Sequence, residues 1–381
     1  MTITTTTTTT TQPPLIRPAT LETPLAQFNQ RLQRFVRYNR RQDFWNTIEN
    51  MKAEKLEFDA TTWDAIATMY ANWNEWGSVK ATLEERRLAK FPATAATYTA
   101  LFEANVARYA PDHCEMLMEN MNIDMVAMNS TIYDKIIFAR ARTEPEHALR
   151  TLQEMGARGL TPFTSSYASV ARAFSHTKEP NVALAVLREG ERRGQVPTSS
   201  YFDVLESSAD GDYMEGVLYC WKALLANKLN VHEGACLKVL RAAAVSGNSE
   251  LASEVLRHLS TQGYKCGVQH FTPLFEALVK SGDMAAFGVL DLMNETGLPI
   301  DSGVVSAWTA RLSGSIEALD RGFRLLERLH EPSETGVPGK PIHIALFNSV
   351  LTACINLRDA ERAAETFQAA GRLGVTPNTD S

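Results

Sequence analysis

The sequence predicts an all-α fold, an α-solenoid superhelix of about ten helical hairpins that are each 34–35 residues long. Two ladders of side chains, in phase with each other along nearly the whole chain, lead to this prediction. An aromatic or apolar residue opens each repeat, and an apolar residue recurs at a fixed place in its second half. The opening residues are separated by 35, 35, 35, 34, 34, 35, 35, 34 and 42 residues.

Both ladders have ten members. The opening residues are Phe28, Trp63, Tyr98, Tyr133, Tyr167, Tyr201, Cys236, Phe271, Val305 and Phe347. The second ladder consists of Phe44, Val79, Cys114, Ala148, Ala183, Val217, Ala252, Ala286, Ala318 and Ala363. A hairpin of this size buries its apolar face only against its neighbours, so we expect one stacked array in place of separate globular domains.

The clearest repeat covers residues 130–163. Tyr133 and Ile137 fall at helical spacing on one face of a first helix. Pro145 ends that helix and suits the first turn of the next one. Leu152 lies on the apolar face of this second helix, and Gly159 stops it, because glycine tolerates the left-handed turn at a helix C-terminus.

A turn is expected eleven residues after each member of the second ladder. Glycine occupies this place at Gly159, Gly194, Gly263, Gly297 and Gly374, and other residues occupy it at Lys55, Lys90, Met125 and Lys228. The recurrence places the end of each second helix and fixes the repeat boundaries.

The predicted organisation has three parts. Residues 1–23 form a Thr/Pro-rich tail that we expect to be disordered. Residues 24–378 form the array, with repeats near 25–59, 60–94, 95–129, 130–163, 164–198, 199–232, 233–267, 268–301, 302–343 and 344–378. Residues 330–340, rich in glycine and proline, are predicted to be an inserted loop.

Composition argues against several classes of protein. The five cysteines contain no CxxC pair, which argues against a zinc ribbon or a disulfide framework. Cys114 and Cys236 occupy ladder positions, so we expect buried, inert thiols. No run of eighteen apolar residues occurs, so no membrane span is expected.

Charge is unevenly distributed. The chain carries a net charge of −6, yet residues 1–42 contain six arginines and a single acidic residue. Such a segment is typical of a mitochondrial transit sequence, and we predict a mitochondrial location. The alternative is that Arg31, Arg34, Arg37 and Arg41 line one face of a true first helix, because Phe28 is in register with the ladder.

The chain resembles the pentatricopeptide repeat family, of the organellar RNA-binding type without an appended catalytic domain. The resemblance rests on EHALRTLQEMGARGLTP at 146–162 and AERAAETFQAAGRLGVTPN at 360–378. It implies binding of single-stranded RNA, with side chains of each repeat contacting one base. In this family the contacting residues are the one after the opening aromatic and the last of the repeat.

Four repeats carry pairs that are similar to the family's base-reading combinations. The implied RNA-binding pairs are Asn29/Asp59, Thr99/Asn129, Thr272/Asp301 and Asn348/Asn378, with Arg31, Arg34 and Arg37 as additional RNA contacts. A simpler explanation of the last residues is that Asp and Asn cap the next helix. In the middle of the array Ala168, Phe202 and Leu237 occupy the first position and cannot hydrogen-bond a base edge.

No pattern of catalytic residues is found. The zinc-deaminase signature of HxE followed by PCxxC is absent, as is HExxH, and no aspartate cluster follows the repeats. We therefore predict a protein that is not an enzyme and needs no cofactor.

The predicted function is sequence-selective binding of single-stranded RNA, a mitochondrial transcript, in its maturation, stability or translation. The alternative is a protein-binding helical scaffold, or a factor associated with the mitochondrial ribosome, that reads no bases. As a test of register, we expect Ala183 to be buried and Ser208 to lie near the exposed end of a first helix.

Overall fold

The computed structural model describes residues 23–107, 112–194, 196–331, 342–379 and 381. It is 74% helical, and the described residues form twenty α-helices and no strand. The helices are α1 Pro24–Arg37, α2 Arg41–Ala53, α3 Ala60–Asn72, α4 Trp76–Leu88, α5 Ala95–Val106, α6 Asp112–Ile123, α7 Ser130–Ala141, α8 Pro145–Ala157, α9 Thr164–His176, α10 Pro180–Arg193, α11 Thr198–Asp210, α12 Met214–Ala226, α13 Glu233–Ser246, α14 Ser249–Thr261, α15 Val268–Ser281, α16 Ala285–Glu295, α17 Ser306–Leu312, α18 Ile316–His330, α19 Ile344–Asn356 and α20 Ala360–Gln368. The predicted all-α solenoid is confirmed. The tail up to residue 22 and most of the inserted loop lie outside the described residues.

The chain divides into two compact units. The first, residues 1–143, contains α1 to α7. Within it α1, α3 and α5 each pack against the even-numbered helix that follows and against the next odd-numbered helix. Odd-numbered helices are therefore the first helices of successive hairpins, stacked side by side.

The second unit, residues 144–381, contains α8 to α20 and repeats the same scheme. The first helices α9, α11, α13, α15, α17 and α19 pack in series, and each packs on its own second helix. Nine of the ten first helices in the chain are 12–14 residues long, but α17 has only 7.

The second ladder supplies the packing core of the hairpins. Its first eight members are between 0% and 1% exposed, whereas Ala318 and Ala363 are half-buried. Larger members such as Phe44, Val79 and Val217 each contribute about 1.5–3 kcal/mol by leaving water. Small members allow the neighbouring helix to approach, which explains why alanine recurs at this position.

Left-handed turns end the second helices, as expected from sequence. Eight of the nine predicted turn residues have φ between 54° and 82°. Gly194 is the exception, because its φ of 162° is extended backbone. Met125 adopts the strained conformation with a φ of 54° although it carries a side chain.

The predicted exposure of Ser208 is wrong. Ser208 is fully buried on α11, and a Cβ added to Gly216 on α12 would collide with its hydroxyl group. The glycine allows the two helices to approach so closely that even the last turn of α11 is covered. Ala183 is fully buried, as predicted.

Two further placements differ from the sequence-based expectation. Arg41 does not share a face with Arg31, Arg34 and Arg37, because α1 ends at Arg37 and Arg41 begins α2. Val305 does not lie within a helix, since it is the residue that precedes α17. Its side chain is nevertheless 1% exposed and serves as part of the core.

The cysteines on the two ladders are buried, as expected. Cys114 and Cys236 are 0% exposed, and none of the five cysteines forms a disulfide. Burial raises the pKa of the Cys236 thiol to about 12, with a smaller contribution from Glu233. A thiol in this state is a poor nucleophile at neutral pH, so Cys236 is a packing residue.

Candidate nucleic-acid interface

The first predicted pair, Asn29 and Asp59, comes together in repeat one. Asn29 Nδ2 donates to both carboxylate oxygens of Asp59, at 3.0 and 2.9 Å. Thr62 Oγ1 donates to Asn29 Oδ1 at 2.8 Å, and Asp59 caps α3 by accepting from the Thr62 backbone N–H at 2.8 Å. Asn29 is only 7% exposed, so both halves of its amide are satisfied inside the protein.

Repeat ten brings Asn348 and Asn378 together in a more open arrangement. Asn348 Nδ2 donates to Asn378 Oδ1 at 3.1 Å. The hydroxyl of Ser381 lies 2.6 Å from Asn348 Oδ1 and 3.1 Å from Asn378 Oδ1. Asn348 is half-buried and Asn378 is exposed, so solvent reaches this pair.

The other two predicted pairs hydrogen-bond locally. Thr99 Oγ1 donates to the carbonyl of Ala95 at 2.8 Å, and Asn129 caps α7 by accepting from Ile132 N at 2.9 Å. The Asn129 Oδ1 atom therefore serves as a helix cap, as the simpler explanation expected.

In repeat eight, Thr272 Oγ1 donates to the carbonyl of Val268 at 2.9 Å. Asp301 is exposed, and one of its carboxylate oxygens accepts from Val304 N at 3.0 Å. A threonine hydroxyl that donates to its own helix still has lone pairs to accept from a ligand.

Repeat six contains a pair that sequence reasoning set aside. The rings of Phe202 and His232 are in contact, with centroids 6.3 Å apart and an interplanar angle of 38°. The signal was present in the sequence, because both positions carry rings and are separated by 30 residues, as are Asn29/Asp59 and Asn348/Asn378.

Repeat two illustrates a first-position residue that is committed to structure. The carboxylate of Asp64 forms an ion pair with Arg86, whose side chain is 1% exposed. Arg86 also donates to the Phe91 carbonyl at 2.7 Å and to Thr97 Oγ1 at 3.2 Å. A buried guanidinium needs such partners, so Asp64 stabilises the packing of unit one.

A cleft of about 850 Å³ borders the tenth pair. Its walls include Asp301, Ser306, Thr309, Asn348 and Asn378, and it lies between α17 and α19. Asp301 of the eighth repeat and both members of the tenth pair thus line one cleft, with mostly uncharged polar groups.

The N-terminal arginines lie on the surface of α1. Arg31, Arg34 and Arg37 are exposed, and the Arg31 guanidinium lies 5.9 Å from the centroid of the Phe28 ring. By contrast, Arg41 forms an ion pair with Glu75 at 2.6 Å and lies 4.8 Å from the centre of the Trp73 ring.

In the middle of the second unit, cations on the first helices are paired with acids of the neighbouring repeat. Arg172 Nε lies 2.8 Å from Asp203, and Lys238 Nζ lies 2.8 Å from Glu206 and 2.9 Å from Asp210. These pairs raise the pKa of Lys238, mainly through the hydrogen bond to Glu206. This stretch is therefore close to neutral and offers little excess charge to a polyanion.

The described residues carry neither a metal-binding cluster nor a membrane-spanning helix. They contain no group of three or more His, Cys, Asp or Glu side chains that could hold a metal ion. None of their helices combines the length and the apolar character that a membrane crossing requires.

One protein-family model matches part of the chain. Residues 233–370 match the family model described as pentatricopeptide repeat-containing protein. No curated protein sequence matches the chain.

Several solved structures are similar to this one. The pentatricopeptide repeat protein PPR10 from maize is 15% identical with a TM-score of 0.47, and the match covers 95% of this chain and 55% of that one. The same maize protein in complex with an 18-nt psaJ RNA element is 17% identical with a TM-score of 0.45, over 94% and 52% of the two chains. The PPR domain of protein-only RNase P 1 from Arabidopsis thaliana, in complex with tRNA, is 12% identical with a TM-score of 0.34, over 56% and 95%. The chain spans about half the length of the maize protein.

Proposed function

We propose that this chain is a helical repeat protein of the pentatricopeptide repeat family and that it binds single-stranded RNA through the first helices of each of its two units. In repeat proteins of this kind each unit contacts one base through side chains at fixed positions. We propose in addition that the bound RNA is a mitochondrial transcript and that binding serves its maturation, stability or translation.

One observation supports this proposal above the others. In repeats one, six and ten, the residue after the opening aromatic contacts the residue 30 positions later, at Asn29/Asp59, Phe202/His232 and Asn348/Asn378. A pair of side chains at one recurring place per repeat is what reading one base per repeat requires. The chemistry of the pair differs from repeat to repeat, as recognition of different bases demands.

The charges and cavities of the two units add support. The exposed arginines of α1 would neutralise phosphates in the first unit, and the cleft beside Asn348 offers uncharged donors and acceptors in the second. Binding by such a surface needs no catalytic group, so we propose that the chain acts by occupying RNA and not by altering it. The arginine-rich N-terminal segment supports the mitochondrial location.

The proposal is tested by crosslinking in cells followed by sequencing of the attached RNA. We expect a small set of mitochondrial transcripts with a shared single-stranded segment. The purified chain should retain that segment in filter binding at fixed salt and should release its double-stranded form. Absence of any crosslinked RNA, together with equal binding of single and double strands, would overturn the proposal.

A second candidate is a protein-binding scaffold or a factor of the mitochondrial ribosome. The paired charges of Arg172 and Lys238 favour it, because a nearly neutral face suits a peptide better than a polyanion. Affinity purification after nuclease treatment separates the two candidates. A partner protein that stays bound without RNA, in cells where no RNA crosslinks, is the outcome that this second function predicts.

A further inference from the structure

We infer that repeat six holds one unpaired base of the bound strand by stacking it on the ring pair of Phe202 and His232, without selecting its identity. This inference rests on the proposed function, because it names how one repeat contacts the RNA. Phe202 and His232 would then take part in RNA binding although they do not form a hydrogen-bonded pair for reading a base.

The place of the ring pair in the repeat is the first argument. Phe202 follows the opening residue Tyr201, and His232 directly precedes the first residue of α13. Asn29 and Asp59 occupy the same two places in repeat one. A base that reaches the place of the Asn348/Asn378 pair in repeat ten would meet two rings at the same place in repeat six.

The geometry of the rings is the second argument. Their centroids are 6.3 Å apart with the planes tilted by 38°, so the rings touch each other and form a preformed surface. The His232 side chain is 61% exposed and Phe202 is half-buried. One ring is thus anchored in the array while the other is accessible to a base.

Charge is the third argument, because acids near the rings would repel phosphate if they were unpaired. Glu206 lies 3.7 Å from His232 and 2.8 Å from Lys238, and Asp203 lies 2.8 Å from Arg172. Each of these acids therefore has a cationic or ionisable neighbour. On the next first helix, α13, Arg241 is exposed and adds a positive charge.

Stacking and hydrogen-bond reading make different demands on sequence. A ring pair has no fork of donors and acceptors, and every base has a π face, so the contact tolerates all four bases. Stacking of one base on an aromatic side chain contributes a factor of roughly 5 to 150 in affinity. We therefore expect one position of the bound RNA at which a base is required and its identity is not.

The test uses a 20-nucleotide RNA selected on the intact chain from a random pool. Synthetic versions each carry one abasic ribose, and filter binding at fixed salt gives the loss in affinity at every position. Wild-type protein should show a position at which removal of the base costs about tenfold while base exchange costs less than about twofold. In Phe202→Leu, which keeps the apolar volume without the ring, and in His232→Ala the loss at that position should vanish.

Leu237→Ala is the matched control, because Leu237 occupies the corresponding place in repeat seven. This variant should give the same abasic scan as the wild-type protein. Selection of a binding RNA whose abasic scan is identical in wild type, Phe202→Leu and His232→Ala would overturn this inference and leave RNA binding in place. Failure to select any RNA would overturn the proposed function and the inference with it. Circular dichroism of each variant shows that the helices are intact.

Discussion

Repeats one and ten carry the same amide at the same place, and both amides are hydrogen-bonded within the protein, but the two differ in their exposure to solvent. Asn29 is 7% exposed and its donor and acceptor groups are used by Asp59 and Thr62. Asn348 is half-buried and lines a cleft of about 850 Å³ beside an exposed Asn378. In repeat one the pair is enclosed by the protein, whereas in repeat ten solvent reaches the pair, and a ligand in the cleft can compete for the groups that Asn378 and Ser381 bond in Asn348.

The comparison teaches that a match to a base-reading pair does not establish access to a base. An amide that is already fully hydrogen-bonded must break those bonds before it can contact RNA, and burial makes the exchange unfavourable. The element next to the second member of the pair differs between the two repeats. Asp59 caps α3 and binds the buried Asn29, whereas Asn378 follows α20 and the 3-10 turn after it.

The largest effect is expected for Asp59→Ala. The substitution removes the cap of α3 and leaves the buried Asn29 amide without an acceptor, which should cost about 2–4 kcal/mol of local stability. Asn378→Ala, the matched change in repeat ten, should cost less than about 0.5 kcal/mol. Hydrogen exchange of residues 60–72 in the first variant and 344–356 in the second measures both. Equal losses would show that the two pairs play the same part.

A double replacement in repeat eight comes next. Thr272→Ala with Asp301→Ala should weaken binding of the preferred RNA by roughly 1–3 kcal/mol, by analogy with other paired base contacts. The control replaces Leu237 and Gly267, the corresponding pair of repeat seven, with other small apolar residues and should leave affinity nearly unchanged. Filter binding at one salt concentration measures the RNA affinity of both variants. A larger loss in the repeat-seven variant than in the repeat-eight variant would show that Thr272 and Asp301 do not read a base.

A smaller effect separates the two amides directly. Asn348→Ala should lower RNA affinity by about 1 kcal/mol without lowering the melting temperature, because the side chain borders solvent. Asn29→Ala should lower the melting temperature and change affinity less. If both variants lose affinity equally, Asn29 becomes accessible when RNA binds and the comparison fails.

The smallest effect concerns the arginines of α1. Arg37→Ala should reduce the slope of log affinity against log salt by about 0.7 if the guanidinium contacts one phosphate of a single strand. Arg41→Ala is the matched control, because Arg41 is already paired with Glu75. An unchanged slope in Arg37→Ala would mean that α1 does not touch the RNA backbone.

The fold could be predicted from the sequence because every repeat carries the same pattern of apolar residues and turn residues. Ala148, Ala183, Val217 and Ala252 follow one another at intervals of 34–35 residues, and each is fully buried. The left-handed turns were equally readable, since glycine or lysine recurs at one place. Local signals that agree over ten repeats leave little room for another architecture.

The candidate site was less accessible because it depends on how close neighbouring helices come. Sequence placed Ser208 at an exposed helix end, but the absent side chain of Gly216 lets α12 cover it. The sequence paired Asn29 with Asp59, and the two side chains are in contact. It did not show that Thr62 donates to the remaining acceptor of the Asn29 amide. The contact between Phe202 and His232 was not predicted, because the sequence shows two rings 30 residues apart but does not show whether they meet.

The short helix α17 has a consequence for cooperativity. In a linear array each repeat is held by its neighbours, and a first helix of 7 residues presents less surface to them than one of 12–14. We expect this repeat to open locally at lower free energy than the repeats on either side. A ligand in the adjoining cleft contacts α17 and α19 together. Its binding would therefore stabilise the packing of α17 against α19. Binding of a ligand in the cleft should therefore slow hydrogen exchange in α17. The exchange rate of this helix would show whether the cleft is occupied.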